Sequence, residues 1–101
     1  MALSSDGLAL RLAETDNVAV ALRRIATGSS IVFGDLAVVA SEEIAPGHKI
    51  ALRTIDAGEA VVKYGETMGR ATVRIAAGSH AHVHNIEGIR GRGDLAAAGS
   101  R

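Results

Sequence analysis

Four copies of one short phrase constrain the fold of this chain more than any other feature of its sequence. Each copy has an isoleucine, two intervening residues and a glycine, and the copies read RIATGSSI, EIAPGHKI, TIDAGEAV and RIAAGSHA. Glycine adopts a positive φ at little steric cost, so each phrase predicts a tight turn that follows a core isoleucine and precedes a strand. The pairs are Ile25/Gly28, Ile44/Gly47, Ile55/Gly58 and Ile75/Gly78. Their uneven spacing indicates a recurring turn and not a solenoid repeat.

Between these turns the apolar residues follow a period of two. In NVAVALRR, valine and leucine alternate with smaller or polar residues, which predicts a half-buried strand with a small second face. DLAVVA, EAVVK, GRATVRI and SHAHVHNI also favour short strands, because β-branched residues are frequent in them. The sequence therefore predicts a mostly β, compact single domain over residues 1–87. A tail rich in Gly and Arg is expected over residues 88–101.

The composition limits where a ligand could bind. Of the 101 residues, 48% are hydrophobic, yet Phe33 and Tyr64 are the only aromatic residues. A core of small aliphatic side chains leaves little room for a deep pocket. A ligand site is therefore expected at the surface or at an interface.

Charge and residue content disfavour several classes of protein. The formal net charge is zero, whereas nucleic-acid binders usually carry a basic excess. Cysteine is absent, which excludes disulfides and thiolate metal sites. No apolar run approaches the roughly 18 residues of a membrane span, and the first residues do not resemble a signal peptide. The expectations are a cytoplasmic location and no nucleic-acid or membrane partner.

The stretch GSHAHVHN carries three of the four histidines. If it forms a strand, His80, His82 and His84 share one face, while Ala81 and Val83 can pack on the core. Same-face neighbours lie about 6.5–7 Å apart along a strand, so two imidazoles plus a ligand from elsewhere could hold a metal ion. A proton shuttle, a basic patch for an anion and a merely solvated face are the alternatives.

Two further phrases offer polar candidates. In PGHKIAL, His48 and Lys49 follow a turn glycine, where they could hold a carboxylate or simply be exposed. KYGE contributes Lys63, Tyr64 and Glu66, of which the tyrosine is more typical of a core lid than of a catalyst. No phosphate loop or serine-histidine-aspartate order is present.

The order of these phrases resembles the small SAF domain of altronate and galactarate dehydratases. The resemblance covers about Asp16 to Asn85, and PGHKIAL, KYGE, MGRA and HVHN are its most specific pieces. Ser79 and Ala81 depart from residues that are frequent in the family. The resemblance implies a β-clip fold. It also implies a role as the small subunit of a sugar-acid hydro-lyase, inactive alone, with a large dehydratase subunit as partner.

The resemblance also suggests what each polar residue does. His82, His84 and His48 are the expected catalytic residues, and His82 and His84 the expected metal ligands. Lys49, His80 and Lys63 are expected to bind the sugar-acid substrate. The implied cofactor is a divalent metal, iron(II), shared with the large subunit. The small subunit of sulfolactate sulfo-lyase, and a non-catalytic sugar-acid-binding module, are the alternative functions. Homo-oligomerisation stays open.

Overall fold

The computed structural model describes residues 2–88, and this part of the chain is built of strands and turns without a helix. The mostly β prediction is therefore confirmed. Except for Gly88, the tail predicted over residues 88–101 lies outside the described residues. The strands are β1 (Ala2–Leu3), β2 (Ala9–Arg11), β3 (Val18–Ala21), β4 (Ser30–Phe33), β5 (Leu36–Val39), β6 (Lys49–Ala51), β7 (Ala60–Lys63), β8 (Glu66–Ala71), β9 (His80–Ala81) and β10 (Ile86–Gly88).

Three antiparallel sheets are present. The central sheet has the order β1-β2-β3-β6-β9, the second has β10-β8-β7, and β4 with β5 forms a hairpin. β6 brings an early and a late part of the sequence together, because it pairs with β3 on one side and with β9 on the other. This pairing brings residues around position 48 against residues around position 80.

All four Ile-x-x-Gly turns form as predicted. The four glycines have φ between 83° and 88°, and the four isoleucines are at most 2% exposed. The turns pair two by two through reciprocal backbone hydrogen bonds, Ile25 with Ile44 and Ile55 with Ile75.

The hydrogen bonds of the two pairs of turns show that the fold contains the same arrangement twice. The uneven spacing of the four phrases along the sequence does not make this duplication obvious. Gly28 N–H donates to Ala40 O just as Gly58 N–H donates to Ala71 O, and Gly47 N–H donates to Ala21 O just as Gly78 N–H donates to Ala51 O. We call each pair of turns with the chain between them a half of the fold. The first half encloses the hairpin β4–β5, and the second encloses β7–β8. Each half also has its own apolar cluster, one around Ile25 and Ile44 and the other around Ile55 and Ile75.

Two details of the strands differ from the expectation. β3 is covered on both faces and not only half-buried: Ala19 and Ala21 pack in the first apolar cluster and Val18 in the second, while Leu22, beyond the end of the strand, is 46% exposed. This follows because β3 lies at the centre of a sheet between β2 and β6, where small side chains let the layers approach. The strand predicted over SHAHVHNI stops at Ala81, and a turn occupies residues 82–85.

Candidate functional site

Three imidazoles meet where β6 and β9 pair. Lys49 lies opposite Ala81 in this ladder, so the preceding residue, His48, comes opposite His82 just past the end of β9. The rings of His48 and His82 stack with centroids 3.6 Å apart, and their planes differ by 12°. Sequence spacing could not show this contact, because it depends on which strands are neighbours.

His80 completes the group. Its Nε2 lies 2.7 Å from Nδ1 of His48, a hydrogen bond in which one nitrogen donates and the other accepts. Because a single proton lies between the two nitrogens of this bond, the two rings together can carry at most one positive charge. We call His48, His80 and His82 the imidazole cluster.

His84 stands outside this cluster. Its ring lies 4.9 Å from that of His80 and is tilted by 35°, and the residue is exposed in the turn. The expectation that His80, His82 and His84 line one strand face is wrong beyond Ala81, because the chain reverses there. Val83, expected to pack on the core, is 81% exposed for the same reason.

Asn85 holds the reversal. Its Oδ1 accepts a hydrogen bond from His82 N–H at 2.9 Å, and its Nδ2 donates to His80 O at 2.9 Å. Its backbone N–H also donates to His82 O. These bonds fix the backbone that carries His80 and His82, as is typical of an asparagine in a turn.

Ser41 and Glu42 contribute to the site although no motif pointed to them. Glu42 Oε2 accepts a hydrogen bond from His80 N–H at 3.0 Å. Ser41 N–H donates to Gly78 O at 2.9 Å, and its hydroxyl lies 3.2 Å from that of Ser79. The contact is tight, since a Cβ on Gly78 would lie 2.0 Å from Val39 O. Only the folded chain brings these two stretches together.

Burial holds the imidazoles toward their neutral form. Desolvation lowers the pKa of His82, and the positive charges that His48 and Lys49 can carry lower it further. Desolvation also lowers the pKa of His80, followed by the charges of His84 and His48. Neutral imidazoles have lone pairs available for a proton or a metal ion.

The imidazole cluster fits a divalent transition metal. The three rings each offer a nitrogen within 4.8 Å of the others, and imidazole is a ligand for iron, zinc, copper and nickel. Nδ1 of His82 is buried and has no hydrogen-bond partner among residues 2–88. Because the rings lie nearly parallel, one of them has to rotate for all three to share an ion. His84, expected as a ligand, is not part of this group.

The two lysines that are expected to bind the substrate lie at different depths in the fold. Lys49, at the start of β6, is 8% exposed. Burial lowers its pKa, and the charge of Lys63 lowers it further. Lys63, at the end of β7, is half-buried with its ammonium 5.1 Å from the Tyr64 ring centroid. A shallow cavity of about 130 Å³ lies beside the cluster, lined by Lys49, Met68, His82, Val83, Ile86 and Gly88.

No helix among residues 2–88 has the length and apolar character needed to cross a membrane.

Comparison with known proteins gives consistent matches. The profile of the altronate/galactarate dehydratase SAF domain matches residues 8–88. Altronate dehydratase from Escherichia coli (strain K12) is 42% identical over 76 residues, which are 75% of this chain and 15% of that enzyme. Altronate dehydratase from Bacillus subtilis (strain 168) is 38% identical over 78 residues, 77% of this chain and 16% of that enzyme.

A second kind of relative is much shorter. The (2R)-sulfolactate sulfo-lyase subunit alpha from Paracoccus pantotrophus is 39% identical over 53 residues, which are 52% of this chain and 79% of that subunit. The chain thus spans only about one sixth of the length of the two dehydratases and matches most of this subunit.

Proposed function

The chain belongs to the altronate/galactarate dehydratase SAF-domain family, and from this premise we propose that it is the small subunit of a sugar-acid hydro-lyase. The observation that carries the proposal is the imidazole cluster, which the fold assembles from two distant stretches of sequence. The cluster would form one wall of an active site. A large dehydratase subunit would supply the opposite wall.

The residues suit the chemistry of such a reaction. Dehydration of a 2,3-dihydroxy acid removes the proton at C2 and expels the hydroxyl at C3, which leaves with a proton from a general acid. An imidazole side chain can accept or donate a proton near neutral pH. His84, exposed beside His80, is the proposed proton carrier because solvent and substrate can reach it.

His48, His80 and His82 would hold the divalent metal, proposed to be iron(II). A bound divalent ion would stabilise the negative charge that develops on the substrate when the C2 proton leaves. The burial that lowers the pKa of His82 and its unpartnered Nδ1 support this assignment. Asn85 would keep His80 and His82 in place through its bonds to the backbone.

The chain by itself lacks a full catalytic set. Among the residues that the structure describes, Glu42 is the only carboxylate that contacts the cluster's residues, and it is engaged by a backbone N–H. The cavity beside the cluster is small and shallow. A separate large subunit accounts for both features, since it would close the site and bring further groups.

A sulfo-lyase small subunit is the second candidate. The match at 39% identity to 79% of a sulfo-lyase subunit alpha supports it. The chemistry proposed for the imidazoles would be the same, with sulfite leaving in place of water.

The test is co-expression with a large dehydratase-like chain, sought in the reading frames that neighbour the gene. The complex is assayed on a panel of aldonates, aldarates and sulfolactate, with iron(II) under reducing conditions. Dehydration of a sugar acid supports the proposal, and release of sulfite supports the second candidate. If the complex converts neither sugar acids nor sulfolactate, while the chain alone binds sugar acids, the chain is a non-catalytic binding module.

Two histidine variants sharpen the test. His82→Ala should remove both activity and cobalt(II) binding, with cobalt as a spectroscopic probe for the metal. His84→Ala should lower turnover by about 10²-fold, as is typical of a lost acid or base, and keep cobalt binding. Equal loss of cobalt in both variants would refute the separate roles.

A further inference from the structure

Lys49 is the only cation among residues 2–88 that the fold buries. Its side chain is 8% exposed, and no described residue accepts a hydrogen bond from its ammonium or pairs with it. Asp16, the buried anion, shows the opposite situation, since four backbone N–H groups donate to it. The ammonium nitrogen itself keeps some contact with solvent, since it is not among the enclosed unpartnered atoms of the described residues. A lysine with a buried stem and no partner for its ammonium leaves that charge open to an anion from outside the chain.

The surroundings of Lys49 make its charge still more costly. Lys63 adds a second positive charge nearby. His82 lines the same cavity as Lys49, and its Nδ1 also has no partner among the described residues. Two polar groups without partners thus lie at one cavity whose other side chains are apolar or absent: Met68, Val83, Ile86 and Gly88.

We propose that this cavity is a carboxylate subsite, in which Lys49 Nζ donates to the carboxylate end of a 2-hydroxy acid beside His82. An anion here would supply the acceptor that the fold does not, and charge-assisted hydrogen bonds are the strong ones. The subsite requires only the described residues of this chain. The identity of the acid rests on the proposed function.

The volume of the cavity limits how much of an acid ligand can lie inside it. The cavity measures about 130 Å³, whereas one water occupies about 30 Å³ in the liquid. It therefore has room for a carboxylate and the hydroxylated carbon next to it, and because the cavity is shallow a longer acid would extend out of it. The remainder of the substrate would lie outside, where the imidazole cluster and the large subunit meet it. Lys49 would thus fix which end of the acid faces the histidines.

The experiment uses the full 101-residue chain and NMR of the Lys49 side chain. Acetate and glycolate are titrated, with methanesulfonate as the sulfonate and glycolamide as the uncharged control. Acetate and glycolate should raise the pKa of the Lys49 ammonium, and glycolamide should leave it unchanged. A stronger response to methanesulfonate than to acetate would mean that the sulfonate end of a sulfo-acid binds here and would overturn the carboxylate assignment.

Lys49→Met provides the decisive variant, with Arg23→Met as a matched control that removes an exposed charge elsewhere. Lys49→Met should weaken acetate binding by about tenfold or more and raise the melting temperature, because an apolar side chain replaces an unpaired charge. Arg23→Met should leave both properties nearly unchanged. A lower melting temperature in Lys49→Met with unchanged acetate binding would show a purely structural lysine and refute the proposal.

This outcome is independent of the proposed function. Acetate can bind at Lys49 in a chain that proves to be a binding module, and a complex can dehydrate sugar acids without this subsite. Failure to observe any pKa response at anion concentrations well above about 10 mM would refute the subsite alone.

Discussion

Asp16 and Asn17 are side chains on which the packing of the second half depends. Asn17 is 1% exposed, and its amide pairs with Ala60 O and Val62 N, on either side of the bulge in β7. Asp16 accepts hydrogen bonds from the backbone of the loop before β3 and from Tyr64 and Gly65. Tyr64 has a φ of 58°, which is unusual for a residue with a side chain, and the Asp16 carboxylate helps to hold it there.

Replacing Asp16 by asparagine should make the free energy of unfolding depend less on pH in the acidic range. Burial by itself would raise the pKa of Asp16, but the backbone donors outweigh it and the pKa lies below 3.8. The carboxylate thus stabilises the fold at neutral pH, and this contribution is lost as the pH falls through the folded-state pKa. Asp16→Asn should cost about 2–4 kcal/mol at pH 7, and the difference from the parent should shrink in acid.

The measurement is urea unfolding at several pH values, with Asp35→Asn as the control because Asp35 is exposed in the β4–β5 hairpin. An Asp16→Asn deficit that stays constant down to strongly acidic pH would contradict this role of the carboxylate.

Gly78 and Gly58 occupy equivalent turns but differ in their surroundings. Both have positive φ, yet a Cβ on Gly78 would lie 2.0 Å from Val39 O, whereas Gly58 has nothing within 4 Å. Gly58→Ala should cost about 1–2 kcal/mol from backbone strain alone. Gly78→Ala should cost at least about 3 kcal/mol, because the contact beside the imidazole cluster must open. Thermal melts of the two variants check this, and equal costs would show that the contact yields freely.

Val83 lies in the histidine turn without supporting the core. Since it is 81% exposed, Val83→Ala should change the free energy of unfolding by no more than about 0.5 kcal/mol. Asn85→Ala, two positions later, should cost about 1–3 kcal/mol because it leaves buried backbone groups unpaired. Chemical denaturation of both variants is the measurement. A larger cost for Val83→Ala would contradict the observed turn.

At the scale of elements, the fold consists of two similar halves joined through β6. Each half has a pair of Ile turns that bridge through their backbones, and each pair lies in its own apolar cluster. The hairpins differ: β4–β5 pairs without interruption, whereas β7–β8 has an irregularity between Val61 and Val62 and continues to β10. The second half is thereby extended into the three-stranded sheet that borders the candidate site.

The separate clusters predict a pattern of additivity. Ile25→Val and Ile55→Val should each cost about 0.5–1.5 kcal/mol, and the double variant should cost their sum because the two residues lie in different clusters. Ile25→Val with Ile44→Val should deviate from the sum, since these residues are paired and share a cluster. Double-mutant cycles by urea unfolding test both expectations. Strong coupling between Ile25 and Ile55 would mean that the halves act as one core.

At the scale of the whole molecule, the site lies at the edge of the central sheet, where the two-residue strand β9 pairs with β6 alone. A strand at an edge has no further neighbour in its sheet, so the imidazole cluster beside β9 lies where a second chain can reach it. The cavity and the imidazole cluster lie together at this edge.

The chain alone should fold cooperatively and show no dehydratase turnover. Two apolar clusters provide a core, but the described residues do not provide a closed site or a full set of acids and bases. A melt of the purified chain and an assay over the same panel of sugar acids measure the two properties. Conversion of any sugar acid by the 101-residue chain without a partner would refute the shared-site proposal.

The sequence by itself determined the local structure. Ile-x-x-Gly predicts a turn at each copy because only glycine adopts positive φ freely, and period-two alternation favours strands. These patterns predicted the mostly β class and all four turns, and HVHN and PGHKIAL indicated where polar chemistry lies.

Only the tertiary structure decided which of these residues meet. The pairing of β6 with β9 places His48 against His82, a contact over 34 positions that no local pattern encodes. The reversal at Asn85 excludes His84 from the imidazole cluster and exposes Val83, because hydrogen bonds to the backbone override the alternation of the sequence. The burial of Lys49 without a partner is likewise a property of packing, since the same lysine in an exposed turn would be solvated by water.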